Sequence, residues 1–397
     1  MPDQVRHDSL KQHMRTLFKE ALLPAAAIAA ALLLFGLFVW FAGVSPLQVW
    51  VLLFKGAFGD WYSWQNTLQR AAPLMLTALC VAIPARAGLV VIGGEGALVL
   101  GGLACAGLAQ SLPLPANVAG TTLVCLAGAI AGALWISLAG WLRQYRGINE
   151  TISSLLLAYV AIGLFKHLVE GPLRDPASLN KPSTYTLAEG LQISGIGGSD
   201  VHWGLVLGVL ACVAASLWLR WTPSGFSVRV VGGNLRTAQL VGLPATKLVL
   251  LACALGGACA GLAGAVEVAA VHTSANASLI AGYGYAGILV AFIARQQPLA
   301  VIPVAILFGG FGAAGSLLQR RLGLPDASVL LLQGIAFVLI LASEALRDLD
   351  WKALWAKLAK NADPQPSSTV IAGLTRNPGV PTPAWTPGQA RGDSLPG

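Results

Sequence analysis

The feature that most constrains this chain is a series of apolar runs, each long enough to cross a lipid bilayer. A transmembrane helix needs about 20 predominantly apolar residues, and 56% of the residues here are hydrophobic while only 11% are charged. Because the backbone finds no water in hydrocarbon, an apolar run of this length satisfies its hydrogen bonds by forming a helix. The sequence therefore predicts an all-α polytopic membrane protein, instead of the two or three soluble domains that 397 residues otherwise permit.

The apolar runs predict a membrane domain over residues 21–348, preceded by a polar N-terminal segment over residues 1–20. About ten transmembrane segments are expected, and they are approximately 21–42, 71–85, 88–109, 117–142, 148–169, 203–219, 245–271, 283–294, 299–318 and 328–346. The connections predict an external excursion with interfacial tryptophans over 43–69 and a longer external loop over 170–202. Residues 361–397 are rich in Pro, Ser and Gly, which predicts a disordered tail without a function of its own.

Two of the predicted segments contain glycine clusters that are unusual for a plain span. Ile92-Gly-Gly-Glu-Gly96 lies within 88–109, and Ala281-Gly-Tyr-Gly284 precedes 283–294. Non-helical backbone at membrane depth is tolerated only where it is buried in protein or lines a cavity, so both clusters predict broken or re-entrant helices. Segments 71–169 and 245–346 each begin with a span that leads into such a cluster, which predicts two related halves with a substrate path at their junction.

The basic residues predict the orientation of the chain. Eighteen of the 25 Lys and Arg residues fall in segments placed in the cytosol by this topology, and seven fall in external ones. This bias predicts cytosolic N- and C-termini, in the bacterial cytoplasmic membrane. The net charge of +8 is therefore explained by orientation among membrane lipids and gives no reason to expect a nucleic-acid partner.

The sequence contains no catalytic motif of the serine-hydrolase, zinc-protease or P-loop type. All six cysteines lie in apolar segments, and their spacing is not that of metal ligands. The simplest interpretation is that they pack between helices as small apolar side chains. We therefore expect no enzyme activity, no metal and no cofactor on this chain.

Four carboxylates lie in apolar surroundings, where an isolated charge is costly and must find a partner, a cavity or an interface. Glu150 and Glu344 are close to predicted cytosolic ends, which favours loop bonding or snorkelling over transport chemistry. Glu95 is in the glycine cluster, where accepting backbone N–H bonds from a broken helix is favoured over direct substrate contact. Glu267, near the outer end of its span, is equally compatible with a role in the pathway and with a structural one. No chain of acids and bases crosses the membrane, which argues against proton coupling.

Gly225–Gly242 is a polar, basic island between two apolar blocks. Apolar residues recur at spacings of three and four from Val228 to Val241, and Gly232-Gly233 interrupts the pattern. This predicts a loop, a tight turn and a short amphipathic helix that ends at Gly242. Such a helix lies on lipid headgroups or fits a groove of a soluble partner, and an ordinary solvated loop is the alternative.

Four stretches of the sequence resemble the membrane-spanning permease subunit of ATP-binding-cassette (ABC) importers for simple sugars and nucleosides. Residues 88–97 are similar to the family's GLFNIGxEGQ element, and residues 149–159 are similar to its NEVIxTLMLNY element. Residues 225–242 resemble its cytosolic GxxxRAVGxNPxAAxxxGI segment, and residues 256–264 with 282–285 resemble its SGxxAGLAG and GxGF elements. The order and spacing of these stretches carry the resemblance.

The resemblance implies that 225–242 is a coupling helix that docks on a separate cytosolic ATPase, which binds the ATP. The residues matching that segment are Arg229, Gly232, Gly233, Asn234, Arg236, Ala238 and Gly242. The resemblance further implies a second permease subunit, more often a different chain than an identical one, and an extracytoplasmic substrate-binding protein. The residues that we place along the substrate path are Glu95, Asn149, Tyr159, Glu267 and Tyr283, and helix packing is the alternative role for the two tyrosines.

Three polar residues of the family pattern are replaced here, by Val91, Ala97 and Ala158. A site built on hydrogen bonds discriminates strongly, so these replacements leave the substrate open between a nucleoside, a simple sugar and a less polar ligand. An ion- or proton-coupled secondary transporter is the alternative function, and a membrane-embedded enzyme is a third that lacks a catalytic constellation.

Overall fold

The structure, a computed structural model, describes residues 26–178, 180–325 and 327–347. The predicted N-terminal segment 1–20 and the predicted tail 361–397 lie outside the described residues. In chain order the α-helices are α1 (Ala26–Phe41), α2 (Pro46–Phe54), α3 (Trp61–Ala85), α4 (Gly94–Ser111), α5 (Val118–Arg146), α6 (Glu150–Glu170), α7 (Gly204–Trp221), α8 (Pro223–Gly233), α9 (Leu235–Leu240), α10 (Ala245–Val266), α11 (Tyr283–Ile293), α12 (Pro298–Leu322) and α13 (Ala327–Arg347).

The predicted all-α membrane class is confirmed. Six helices of the described chain are long and apolar enough to span a bilayer, namely α3, α5, α6, α7, α10 with its π-helical extension to His272, and α12. Shorter apolar helices occur at Ala26–Phe41, Ala277–Ile293 and Ala327–Ser343. The predicted count of about ten spans is not confirmed.

The helix boundaries follow from local capping chemistry. The side chain of Asn117 accepts hydrogen bonds from the first turn of α5, and that of Asn149 does the same for α6. The α5 helix ends at Gly147, whose φ of 65° is the left-handed conformation that glycine adopts without steric cost. Pro298 occupies the first turn of α12, where its missing N–H is no loss.

Two predicted boundaries are corrected by the structure. Residues 43–69, predicted as an external excursion, form α2, a π-helical turn at Lys55–Gly59 and the beginning of α3. The α3 helix therefore starts ten residues before the predicted span at residue 71. The polar residues Gln65, Asn66, Gln69 and Arg70 lower the hydropathy of this first part without interrupting the helix.

The predicted break in segment 88–109 is present as a non-helical entry. Residues 89–92 contain no helix, and α4 then runs without interruption from Gly94 to Ser111. Its first ten residues are all buried, so the helix lies inside the bundle. Burial on all sides explains why a helix with five glycines and alanines among those ten buried residues is stable, since neighbouring helices supply its packing.

Glycines let α5 and α10 approach closely. Gly132 on α5 faces Gly257 and Gly261 on α10, and a Cβ atom on Gly257 would lie 2.8 Å from the Cβ of Ile136. The sequence analysis predicted small-residue packing from the spacing of Gly257 and Gly261, and α5 is the helix that uses it.

The connections define two ends of the bundle. At the first, which we call the α9 end, Arg86 after α3 donates hydrogen bonds to the carbonyl of Gln296, and Gly232 packs against residues 86–88. At the other, the loop end, the amide of Leu187 donates to the carbonyl of Thr273 at 2.7 Å. The loop 170–202 thus covers the start of the connection between α10 and α11.

Candidate functional site

The starts of α4 and α11 meet inside the bundle around the carboxylate of Glu95. Its two oxygens accept hydrogen bonds from the backbone amides of Gly282, at 2.9 Å, and Gly284, at 2.6 Å. Gly282 has a φ of 81°, and a Cβ atom on Gly284 would overlap the backbone of Glu95. The backbone N–H bonds expected for Glu95 are therefore present, and the acid satisfies amides that a helix start leaves without partners.

A cavity of about 210 Å³ lies directly beside this joint, bounded by α3, α11, α12 and α13. Its polar side chains are those of Arg70, Tyr283, Ser316 and Gln333, and the rest of the lining consists of apolar side chains and glycines. Arg70 lies close enough to the side chain of Tyr283 to interact with it electrostatically. A guanidinium and an amide carry several donors each, so this cavity can bind a ligand rich in oxygen acceptors.

Glu267 interacts electrostatically with Arg70, which lines this cavity. Its side chain is 3% exposed, it begins the π-helical segment Glu267–His272, and its Oε2 atom lies 3.6 Å from the Nε2 atom of His272. Arg70 is close enough for its positive charge to act on this carboxylate. π-Helical turns occur often at functional sites, because the extra residue re-aims side chains.

The five residues placed along the path therefore fall into separate groups. Glu95, Tyr283 and Glu267 surround the entry to α11. Tyr159 is an exposed residue of α6 that interacts with the side chain of Tyr285. Asn149 caps the start of α6, where its side chain accepts from the amides of Thr151 and Ile152.

A group of side chains at the start of α6 fixes the extended entry to α4. Glu150 pairs with Arg143, and its other oxygen accepts from the amide of Val90 at 3.4 Å. Thr151 donates to the carbonyl of Val90 at 2.9 Å, and Ser154 accepts from the amide of Ile92 at 3.0 Å. Loop bonding, the role favoured for Glu150, is the one observed. The side chain of Glu344 lies outside the described residues.

Arg70 is the residue that the sequence analysis missed. The predicted span begins after it, at residue 71, whereas α3 places Arg70 as the tenth residue of a 25-residue helix. Arg70 is an exposed charge at the boundary between the polar first part and the apolar remainder of α3, and it lines the cavity. The signal was available in the sequence, and the misplaced start of α3 concealed it.

The segment 225–242 forms two helices, which corrects the predicted loop and tight turn. Residues 223–233 are helical, so Gly232 and Gly233 end α8 instead of forming a turn before a helix. The side chain of Asn234 then caps α9 by accepting from the amide of Thr237 at 3.0 Å, and Gly242 follows with a φ of 77°. Gly232 brings this segment close to the end of α3, because a Cβ atom there would clash with the backbone of residues 86–88.

The α9 helix is attached to the bundle through one buried side chain. Ala238 is fully buried, whereas Leu235, Leu240 and Val241 are exposed, Leu240 by 88%. Arg236 and Gln239 are exposed beside them. A short helix with exposed apolar and basic residues at one end of a membrane bundle presents a surface suited to docking.

The all-helical bundle, the cavity beside α11 and the exposed α9 helix are compatible with a membrane transport permease. Residues 63–341 match the family described as branched-chain amino acid transport system / permease component. The chain belongs to this family, and it is the permease component of an ABC importer.

Three relatives show the same class. A glucose ABC transporter permease protein of Haloferax volcanii is 32% identical, over 81% of this chain and 87% of the relative. A guanosine ABC transporter permease protein of Bacillus subtilis is 27% identical, over 82% and 94%. A nucleoside ABC transporter permease protein of Lactococcus lactis is 26% identical, over 73% and 82%.

Proposed function

We propose that this permease imports a nucleoside or simple sugar through a path that passes the cavity at the start of α11. Relatives named for glucose, guanosine and nucleosides support this substrate class. The single observation that carries it is the cavity itself, where Arg70, Tyr283 and Gln333 offer donors and an aromatic ring to one ligand. Hydroxyls and base edges are the groups that such a lining recognises.

Two of the path residues act on this cavity from its rim. Glu95 holds the backbone on both sides of Tyr283, and Glu267 balances the charge of Arg70. Tyr159 lies next to Tyr285 on the α6 side, and Asn149 acts through the α6 cap. We therefore place Glu95, Tyr283 and Glu267 nearest the ligand, with Tyr159 and Asn149 further along the path.

Uptake into proteoliposomes tests this assignment. Tyr283→Phe and Arg70→Gln remove the hydroxyl and the guanidinium. We expect Arg70→Gln to raise the half-saturating concentration at least about tenfold, since a hydrogen bond to a charged group contributes roughly 1.5–3 kcal/mol, and Tyr283→Phe to raise it about fivefold, since a neutral hydrogen bond contributes about 1 kcal/mol. Labelled guanosine, uridine and glucose are compared as substrates. Tyr185→Phe, at an exposed tyrosine of the loop end, is the control. If uptake by both cavity variants depends on substrate concentration as it does in the wild type, a path through this cavity is excluded.

We also propose that α9 docks on a separate ATPase subunit, which binds and hydrolyses the ATP. Membership of the permease family implies an ATPase and a substrate-binding protein. We assign Arg229, Gly232, Gly233, Asn234, Arg236, Ala238 and Gly242 to this docking segment, and we add Leu235, Leu240 and Val241 because they are exposed on α9 or directly after it. Closure of two ATPases would then rock paired permeases, in a rigid-body change of the kind known for domain interfaces.

Co-purification with the ATPase tests the docking. Leu240→Glu places a charge on the α9 surface at a side chain that is 88% exposed, so the bundle is expected to fold unchanged. We expect the ATPase to dissociate and substrate-stimulated hydrolysis to fall at least about tenfold, as for a central interface anchor. The combination of Arg229→Glu with Asn234→Ala extends the test to α8 and the α9 cap. Tyr185→Glu, exposed at the loop end, is the control and should retain the ATPase.

The orientation and assembly are further parts of the proposal. We place the α9 end in the bacterial cytosol together with both chain termini, with ten membrane segments in two related halves. The C-terminal half of α1 and the N-terminal half of α13 pack in one cluster with the loop-end part of α12, so the far ends of α1 and α13 point to the α9 end. A second permease chain completes the path, because this cavity alone is smaller than the roughly 300–1,000 Å³ of typical small-molecule sites. We expect a different chain there, as the resemblance to sugar and nucleoside importers implies. Uptake that requires ATP and survives collapse of ion gradients distinguishes this mechanism from a secondary transporter.

A further inference from the structure

Three arginines from three different elements line a second cavity, of about 200 Å³, at the α9 end. Arg86 follows α3, Arg220 is in the last turn of α7, and Arg229 is on α8. The other residues of the lining are Ser216, Leu219, Gln297, Pro298 and Leu299. The lining therefore contains three cations and no carboxylate.

The three guanidinium groups are held near one another despite their repulsion. Arg86 is fixed by hydrogen bonds to the carbonyl oxygens of Gln296, at 2.8 Å and 3.1 Å, and Arg295, at 3.4 Å. Burial, and then the charges of Arg229 and Arg220, lower the pKa of Arg86. Arg229 lies over the ring of Phe226 at 5.8 Å. Arg220 and Arg229 are exposed, so solvent screens part of their repulsion, and an anion in the cavity would relieve the remainder.

The start of α12 adds to the positive potential of the same cavity. Gln297 precedes the helix without a side-chain cap, and Pro298 and Leu299 form its first turn. The N-terminal end of a helix carries a partial positive charge, although Pro298 in the first turn contributes no N–H to a ligand. The α12 helix has 25 residues, which is long enough for its dipole to be complete. Its first residues line the same cavity as the three arginines.

We propose that the cavity of Arg86, Arg220 and Arg229 binds a phosphate group. Planar guanidinium groups bind phosphate oxygens bidentately, which a single ammonium does not do. Two sources share this chemistry, the headgroup of an anionic phospholipid and a free phosphate ion. Trp221, the exposed residue next to Arg220 in the chain, is of a type enriched at membrane boundaries, which is where a headgroup would enter.

Binding there would tie the docking segment to the bundle. Arg229 belongs to α8, while Arg86 and Arg220 belong to the ends of α3 and α7. One phosphate bonded to all three would therefore hold α8 in position relative to the spans that it must move. This inference does not depend on the substrate or on the ATPase, because the ligand contacts residues of the permease alone.

Thermal unfolding of the full-length permease tests the proposal with two probes. The first is reconstitution in phosphatidylcholine nanodiscs with and without phosphatidylglycerol, and the second is inorganic phosphate added to protein in neutral detergent at constant ionic strength. We expect an anionic probe to raise the melting temperature of the wild type. Arg220→Gln and Arg229→Gln should each weaken the apparent affinity by about tenfold or more, a loss of roughly 1.4 kcal/mol.

Arg146→Gln is the matched control, since it removes the same charge from an exposed position at the end of α5. Arg229→Lys retains the positive charge but cannot bind a phosphate bidentately. It replaces Arg229→Gln in the comparison if the glutamine variant does not fold. Stabilisation by phosphatidylglycerol alone assigns the site to lipid, and stabilisation by inorganic phosphate as well assigns it to the free anion. Equal stabilisation of the cavity variants and Arg146→Gln would overturn the proposal. None of these outcomes involves transport, so they are distinguishable from a failure of the proposed import function.

Discussion

Glu95 shows how one carboxylate joins two helices inside the bundle. It accepts from amides on both sides of Tyr283 while sitting in the first turn of its own helix, α4. A buried acceptor of this kind is costly to remove, because the amides that it satisfies then lose their partners. The position therefore links the geometry of the cavity to the stability of the fold.

Replacing Glu95 by glutamine is expected to destabilise the protein. The amide group can accept from one backbone N–H but presents its own donors to the other, so one favourable bond becomes a repulsive contact. We expect a loss of roughly 1–3 kcal/mol in the free energy of unfolding. Thermal unfolding in detergent measures it, with Glu170→Gln, at an exposed glutamate of α6, as the control. Equal melting temperatures for the two variants would contradict this structural role.

His202 is expected to make stability depend on pH. Its side chain is 3% exposed at the loop end, neither ring nitrogen has a hydrogen-bond partner, and burial lowers its pKa to about 4. In the unfolded chain the His202 imidazole takes up a proton as the pH falls below its ordinary pKa of 6.5. In the folded chain it does so only as the pH approaches 4. Stability should therefore be constant above pH 6.5 and should fall as the pH drops towards 4, by up to about 1.4 kcal/mol per unit.

Unfolding midpoints between pH 4.5 and 7.5 measure this dependence. His202→Leu should flatten the acid part of the profile, whereas His167→Gln, at an exposed histidine, should leave it unchanged. An identical acid slope in the wild type and His202→Leu would show that other groups cause it.

At the residue scale, sequence reasoning succeeded where a residue's neighbours in the chain determine its role. Glu95 lies among glycines, and its bonding to backbone amides follows from that context. The cavity could not be derived, because Arg70, Tyr283 and Gln333 come from three helices that only tertiary packing brings together.

The α5–α10 pair is the element in which glycine has the clearest structural use. Gly261→Ala would place a methyl group against Gly128 and Gly132, so we expect a loss of about 1–3 kcal/mol from overpacking. Gly163→Ala on α6 is the matched control, because a Cβ atom there meets nothing within 4 Å. It should be neutral or stabilising by up to about 1 kcal/mol, since alanine is the better helix former. Thermal unfolding compares the two, and equal effects would contradict this packing.

Element boundaries were the least predictable part of the fold. Predicting α9 and its end at Gly242 was possible from the 3–4 spacing and the glycine, whereas α8 was hidden by Gly225, Gly232 and Gly233. These glycines lower helix propensity, yet Gly225 and Gly232 lie against backbone that would clash with a larger residue. Tertiary contact thus overrides local propensity at α8.

At the scale of the whole molecule, composition was sufficient to assign the membrane class but not to count the spans. The α5 and α10 helices are long and apolar enough to be recognised as membrane spans. The α4 helix is not apolar enough, because it carries Glu95 and many glycines, and α11, with 11 residues, is too short. Both nevertheless lie inside the bundle, because their polar ends are satisfied by other helices instead of by water.

Labelling of single introduced cysteines tests the orientation of the whole chain. In intact cells, a membrane-impermeant maleimide should label Tyr185→Cys at the loop end and should not label Gln239→Cys at the α9 end. Inverted vesicles should give the reverse pattern. The native cysteines provide a low background because five are buried and Cys259 is half-buried. Labelling of Gln239→Cys from outside would contradict a cytosolic α9.

The joint at Glu95 also bears on how such a chain can change its ligand over evolutionary time. The carboxylate recognises main-chain amides, so the identity of the side chain at Tyr283, between Gly282 and Gly284, is not constrained by those two bonds. A substitution at Tyr283 can therefore alter the lining of the cavity while the scaffold that positions it is inherited intact. Selectivity and architecture are encoded at adjacent but separable positions.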